Sequence, residues 1–313
     1  MDALSKRIGC YGPKVIACFR NATADDLLQA QLDVTATFES PLTTIFQPLL
    51  DNKLFTRSPY DALASGQFLR IPLMISTVLD EGNYFTITKV KDLESSIKFR
   101  RSMFKWMTRS EYAQLERIYP NDSEFHGSSQ MLTDFYFACP ARRLATTYAK
   151  ANLPVYKTFM THAVGVLQMF KPFGACHGSD IPFWWQFQAI MTPSLFDIAG
   201  GQERQLSKAM LDGLLDFAYG KRLIGGKGLP RWPNYTSGNA LELRIPIKSV
   251  RTFKDNRLDR TCEFLDKAVK AHDGVGMGTP KFGSVMLSNI EARIATTFGW
   301  ATDYFLRAVF YSE

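Results

Sequence analysis

The run Ile71-Pro72-Leu73-Met74-Ile75-Ser76-Thr77-Val78 is almost continuously apolar and ends in Leu79-Asp80-Glu81-Gly82. A short run without a polar alternate face fits a strand buried on both sides, as in parallel sheets covered by helices. The run therefore predicts a strand over 71–77 in an α/β architecture. Its acidic turn then stands at the carboxyl end of the strand, where such sheets present functional side chains.

A second stretch, Gly174-Ala175-Cys176-His177-Gly178-Ser179-Asp180-Ile181-Pro182-Phe183-Trp184-Trp185, sets a histidine among small residues before a Pro-interrupted apolar run. That pattern suits a tight loop beyond a strand, where an imidazole can face a cleft. A lone histidine is more often structural than catalytic, so the pairing carries more weight than either residue. An acid at a strand end followed by a histidine on a loop keeps the order nucleophile, acid, base found in α/β-hydrolases.

Leu79-Asp80-Glu81-Gly82 with Tyr84-Phe85, and His177-Gly178-Ser179-Asp180-Ile181-Pro182-Phe183, resemble the acid and histidine blocks of the type-B carboxylesterases, which include cholinesterases and fungal lipases. Further blocks agree in order: Gly9-Cys10 to Cys18-Phe19-Arg20, Phe46-Gln47-Pro48 to Asp51, Tyr119-Pro120, Thr133-Asp134 to Phe137-Ala138-Cys139-Pro140, and Trp232-Pro233-Asn234-Tyr235. The resemblance spans residues 1–265 and implies acyl transfer without a cofactor, with Glu81 as the carboxylate and His177 as the base. Asp80 is the immediate rival of Glu81. A solvent-exposed turn is the alternative setting for Glu81. Asp180 matches an acidic position that braces the histidine loop. The resemblance also implies a Cys10–Cys18 disulfide, an oxidising compartment and secretion.

No Gly-x-Ser-x-Gly occurs in the sequence, and no glycine-rich oxyanion loop precedes Cys10. Ser76, Ser128, Ser129 and Ser179 are present, but none sits in such an elbow. The resemblance is therefore to the C-terminal half of the family alone. The expected fold is an incomplete α/β-hydrolase, with the later strands of a mostly parallel sheet and flanking helices. Half a sheet leaves one edge and one apolar face uncovered, open to self-association or to a partner chain. The expected function is carboxylic ester hydrolysis once a serine-bearing half completes the site, and near inactivity without it. The alternative is a non-catalytic interaction protein on the same scaffold.

Composition excludes little else. The chain has 313 residues, 46% hydrophobic and 21% charged, with a mean hydropathy of -0.12, which suits a globular fold with a substantial core. A net charge of +7 and an isoelectric point near 9.1 invite a nucleic-acid reading. One cluster could serve it: Lys89, Lys91, Lys98, Arg100, Arg101, Lys105 and Arg109, interleaved with Phe99, Phe104 and Trp106. Without a nucleic-acid motif, the segment reads as an amphipathic, solvated stretch leading to a helix at Ser110. No run of eighteen apolar residues predicts a spanning helix, and Met1 to Arg7 lack a signal-peptide core.

Cys139 and Cys176 fall in apolar blocks and read as buried thiols, and Cys262 has no evident partner. The scattered His126, His162, His177 and His272 make no metal-binding spacing. Glycosylation sequons start at Asn21, Asn121 and Asn234. Other predicted elements are helices from Thr23-Ala24, from Ser110 to Ile118, from Pro140 towards Asn152 and through Leu206, Met210, Leu214 and Phe217, capped at Gly220. Strands are predicted over Val155 to Val164 and Leu241 to Ile247. Gly220 to Lys227 lacks the ending of a phosphate loop and reads as surface. Residues 266–313 lie beyond the resemblance, with a linker at Gly274 to Pro280 and a helical tail through Ile290 to Phe310.

Overall fold

A computed structural model describes residues 2–36, 52–87, 89–120, 124–169, 172–186, 201–220 and 228–272. The Phe46 to Asp51 block, the Asn121 sequon, most of the Gly220 to Lys227 loop, the linker and the tail lie outside the described residues. The described strands form one sheet, β1 (Leu73–Val78), β2 (Val155–Met160), β3 (Asn239–Leu243) and β4 (Arg251–Lys254), in that order. β1 runs parallel to β2, with Leu73 opposite Val155 and Val78 opposite Met160, and β2 runs parallel to β3. β4 is antiparallel to β3.

The strand boundaries follow from backbone donors. β1 starts after Pro72, whose missing N–H cannot join a ladder. β2 stops at Met160, short of the expected Val164, and β3 stops at Leu243. Pro246 then ends extended pairing, a turn at Ile247–Ser249 reverses the chain, and it returns as β4. That last strand has no apolar alternation, being mostly exposed, so the sequence does not announce it.

Described helices cover both faces of the sheet, contrary to the expected open apolar face. On one side Met160, Leu241 and Leu243 pack with Leu206 and Met210 of the helix Gln202–Ala218 and with Phe183 and Trp232. On the other, Val155 and Ala240 meet Ala145 and Tyr148 of the helix Cys139–Lys150, which carries Pro140 in its first turn as expected. Gly220 ends the Gln202–Ala218 segment in a left-handed conformation, φ 66°, which glycine adopts without a Cβ penalty.

A third core joins the helices Glu81–Thr86, Leu93–Met103, Arg109–Ile118, Glu124–Leu132 and Asp259–Ala271. The basic segment is amphipathic as expected, with Arg100 the exception among its charges. Asp92 caps the helix Leu93–Met103 through Ser95, and Phe99, Phe104 and Trp106 are buried. Arg100 is 1% exposed; its Nε donates to Ser128 Oγ at 2.9 Å and its Nη1 to the Tyr119 carbonyl at 2.8 Å. The aromatics that interleave with the lysines are thus core residues, and only the rest of the charges are surface.

The cysteine reading also changes. Cys10 and Cys18 are bonded, but so are Cys139 and Cys262, which were expected to be a buried thiol and an unpaired residue. Packing of Asp259–Ala271 beside the start of Cys139–Lys150 brings together sulfurs 123 residues apart, a proximity no local spacing encodes. Cys176 alone is free, and it is buried.

A buried ion pair fastens β2 to the end of β4. Lys157 Nζ stands 3.0 Å from Asp255 Oδ2, both side chains under a tenth exposed, and Tyr235 donates its hydroxyl to the same oxygen at 2.8 Å. Burial pulls the Lys157 ammonium below its ordinary range, and Asp255 opposes that pull. Lys157→Met is expected to cost about 3–5 kcal/mol in urea unfolding, because it strands a buried carboxylate. Lys157→Met with Asp255→Leu should cost less, and a single-variant loss under about 1 kcal/mol would mean that water screens the pair.

Candidate active site

The site is built at the carboxyl end of β1. The strand ends at Val78, Asp80 turns the chain, and the short helix Glu81–Thr86 begins at once. Gly82 lets that helix lie against Glu124–Leu132, since a Cβ there would sit 2.1 Å from the Ser129 carbonyl oxygen. Its N–H donates to Thr133 Oγ1 at 2.8 Å. The turn is thereby fixed from outside as well as from the strand.

Glu81 is 5% exposed, which removes the exposed-turn alternative. One carboxylate oxygen, Oε1, accepts the Val78 N–H at 3.1 Å, and the other, Oε2, lies 2.6 Å from His177 Nδ1. An ionised carboxylate can only accept, so a neutral His177 that donates to Glu81 from Nδ1 has its lone pair on Nε2. Phe85 and Phe137 flank the ring, with centroids 5.1 Å and 4.9 Å away. The imidazole side chain is 45% exposed, and Nε2 bonds to no described residue. The imidazole is held by one edge and presented on the other.

Asp80, the rival carboxylate, points elsewhere. Its Oδ2 accepts the Ala175 N–H at 2.9 Å, and its own N–H donates to the Ala175 carbonyl at 2.9 Å. Burial pushes its carboxyl upward, partly offset by the Ala175 N–H. Asp180 braces the loop as expected, accepting Ser76 Oγ at 3.0 Å and Trp184 Nε1 at 3.1 Å on one oxygen. Burial raises the Cys176 thiol to about 12, with Asp80 and Glu81 adding to the rise, so it is no thiolate nucleophile at neutral pH.

His177 and Glu81 line a cleft of about 530 Å³ together with Tyr60, Thr77, Phe137 and Arg143. Of the candidate serines, Ser76 is bonded to Asp180, Ser128 to Arg100 and Ser129 to Asn83, and none bonds to His177. Among the described residues no group of three or more His, Cys, Asp or Glu could hold a metal ion. Phe85 and Phe137, the walls of the imidazole, fall in the acid block and in the Thr133 to Pro140 block. Nothing in their spacing marks a role at the histidine.

A parallel strand that carries a buried glutamate to a loop histidine belongs to an α/β-hydrolase-like fold. The Carboxylesterase family matches over residues 1–265, so the chain belongs to that family. It is 24% identical over 297 residues to acetylcholinesterase of Bungarus fasciatus, covering 87% of this chain and 48% of that protein. It is 21% identical over 283 residues to secreted lipase 4 of Gibberella zeae, covering 83% and 48%. Among solved structures, EstA of Aspergillus niger superposes with a TM-score of 0.68 at 15% identity, over 87% of this chain and 55% of that one. The chain therefore spans about half the length of the curated relatives it matches.

Proposed function

We propose that this chain contributes the acid and the base of a carboxylic ester hydrolase whose nucleophilic serine lies outside these 313 residues. The Glu81–His177 pair carries the reading. In such a site a serine hydroxyl attacks the ester carbonyl and passes its proton to His177 Nε2, the edge left open. Glu81 holds the tautomer and stabilises the imidazolium that forms. His177 then returns a proton to the leaving alcohol, and water repeats the sequence on the acyl-enzyme. Acetylcholinesterase and a secreted lipase among the relatives support an ester substrate, and the acid and histidine blocks support the roles of the two residues.

By the same reading the chain alone is inactive or nearly so. It lacks the nucleophile, and each missing oxyanion donor costs about 2.7–4 kcal/mol of transition-state stabilisation. Recombinant chain is expected to hydrolyse p-nitrophenyl esters no faster than its His177→Ala variant. Turnover that depends on His177 would contradict the placement of the nucleophile outside this sequence. A companion segment would add to the edge of β1 opposite β2, and an edge that no described strand pairs with favours self-association of the isolated chain. Two disulfides and a secreted relative support an extracellular setting, and no described helix is long and apolar enough to cross a membrane. The absence of Gly-x-Ser-x-Gly favours a second reading, a non-catalytic interaction protein that keeps the scaffold.

A further inference from the structure

We propose that Asp80 is a positioning residue that sets His177 against Glu81 by gripping the backbone of the histidine loop, an inference that rests on the acid–base reading of that pair. Neighbouring carboxylates in one turn divide the work. Glu81 holds the imidazole, while Asp80 holds the chain two residues before it.

The grip has three parts. First, Asp80 closes a ring on Ala175, its N–H donating to the Ala175 carbonyl and its Oδ2 accepting the Ala175 N–H, both at 2.9 Å. Second, Gly174 adopts φ 56°, and a Cβ there would lie 2.3 Å from Asp80 Oδ2. The carboxylate thus occupies the space that any other residue would need. Third, Asn83 Nδ2 donates to the Phe173 carbonyl at 3.1 Å, and Ser129 Oγ donates to Asn83 Oδ1. The segment 173–175 is therefore anchored to the turn that carries Glu81, and the acid and base share one reference frame. Positional error matters here because displacements of about 1 Å in such a constellation can cost about a hundredfold in rate.

The grip depends on an oxygen acceptor at Asp80 Oδ2, not on its charge. Asp80→Asn can keep that acceptor, whereas Asp80→Ala cannot. Proton NMR of the recombinant chain can follow the low-field His177 Nδ1–H resonance, assigned by its loss in His177→Gln, alongside exchange of the Ala175 amide. The unsubstituted chain should show both a sharp resonance and a protected amide. In Asp80→Ala the resonance should broaden away and the Ala175 amide should exchange at least about tenfold faster, while amides of β2 stay protected. Asp80→Asn should restore both signals. If Asp80→Ala fails to fold, Gly174→Ala displaces the same carboxylate and should show the same pair of losses. Retention of a sharp resonance in the folded variant overturns the proposal and leaves the Glu81–His177 pair standing. Absence of the resonance from the unsubstituted chain overturns the pairing itself, and the proposal with it.

Discussion

In a protein completed by its serine-bearing segment, His177→Ala is expected to lower kcat on a simple ester by about 10⁴–10⁶-fold. The serine would then have no acceptor for its proton, and no other described side chain stands where His177 Nε2 stands. Glu81→Gln should lose about 10⁴-fold with little change in stability. The amide can donate to Nδ1, which forces the proton onto Nε2 and turns the base into a donor. The contrast between the two variants is informative, since Glu81→Gln keeps the volume and its amide carbonyl oxygen can still accept the Val78 N–H. Steady-state kinetics with both variants would check this, and a loss below tenfold in either would remove that residue from the proposed chemistry.

Cys139→Ala with Cys262→Ala is expected to be the most destabilising change away from the site. The bond spans 123 residues, and the chain-entropy account gives roughly 5 kcal/mol for a loop of that size. Cys10 and Cys18 are 8 residues apart, for which the same account gives roughly 2–3 kcal/mol. The long bridge also joins the start of the helix Cys139–Lys150, which covers the sheet, to Asp259–Ala271 in the third core. Urea unfolding of the two double variants should therefore rank the long bridge well above the short one. Equal losses would show that native-state strain or residual structure, rather than loop closure, dominates.

What the sequence made legible was local. A strand buried on both faces shows its apolar continuity directly, and β1 follows that pattern to within two residues. A tight turn and a small-residue loop likewise mark themselves, but it is the family resemblance that singles out Glu81 and His177. Local pattern does not choose between Asp80 and Glu81, because adjacent residues differ in direction without differing in composition; the resemblance favours Glu81, and it is Glu81 that meets His177. The Cys139–Cys262 bond, the burial of Arg100 and the antiparallel return of β4 were hidden for a related reason. Each depends on a partner far along the chain, or on a segment too short and exposed to carry a periodic signal. The Cys10–Cys18 bond was reached by resemblance and not by spacing.

Intact mass of the protein from its native source, with and without a fluorophosphonate probe, tests the proposed chemistry most directly. The account predicts a species heavier than 35.4 kDa that takes up one probe and loses that uptake when His177 is replaced. A native species of 35.4 kDa that takes up no probe, with none on any chain that co-purifies with it, would contradict the ester-hydrolase reading and leave the interaction scaffold in its place.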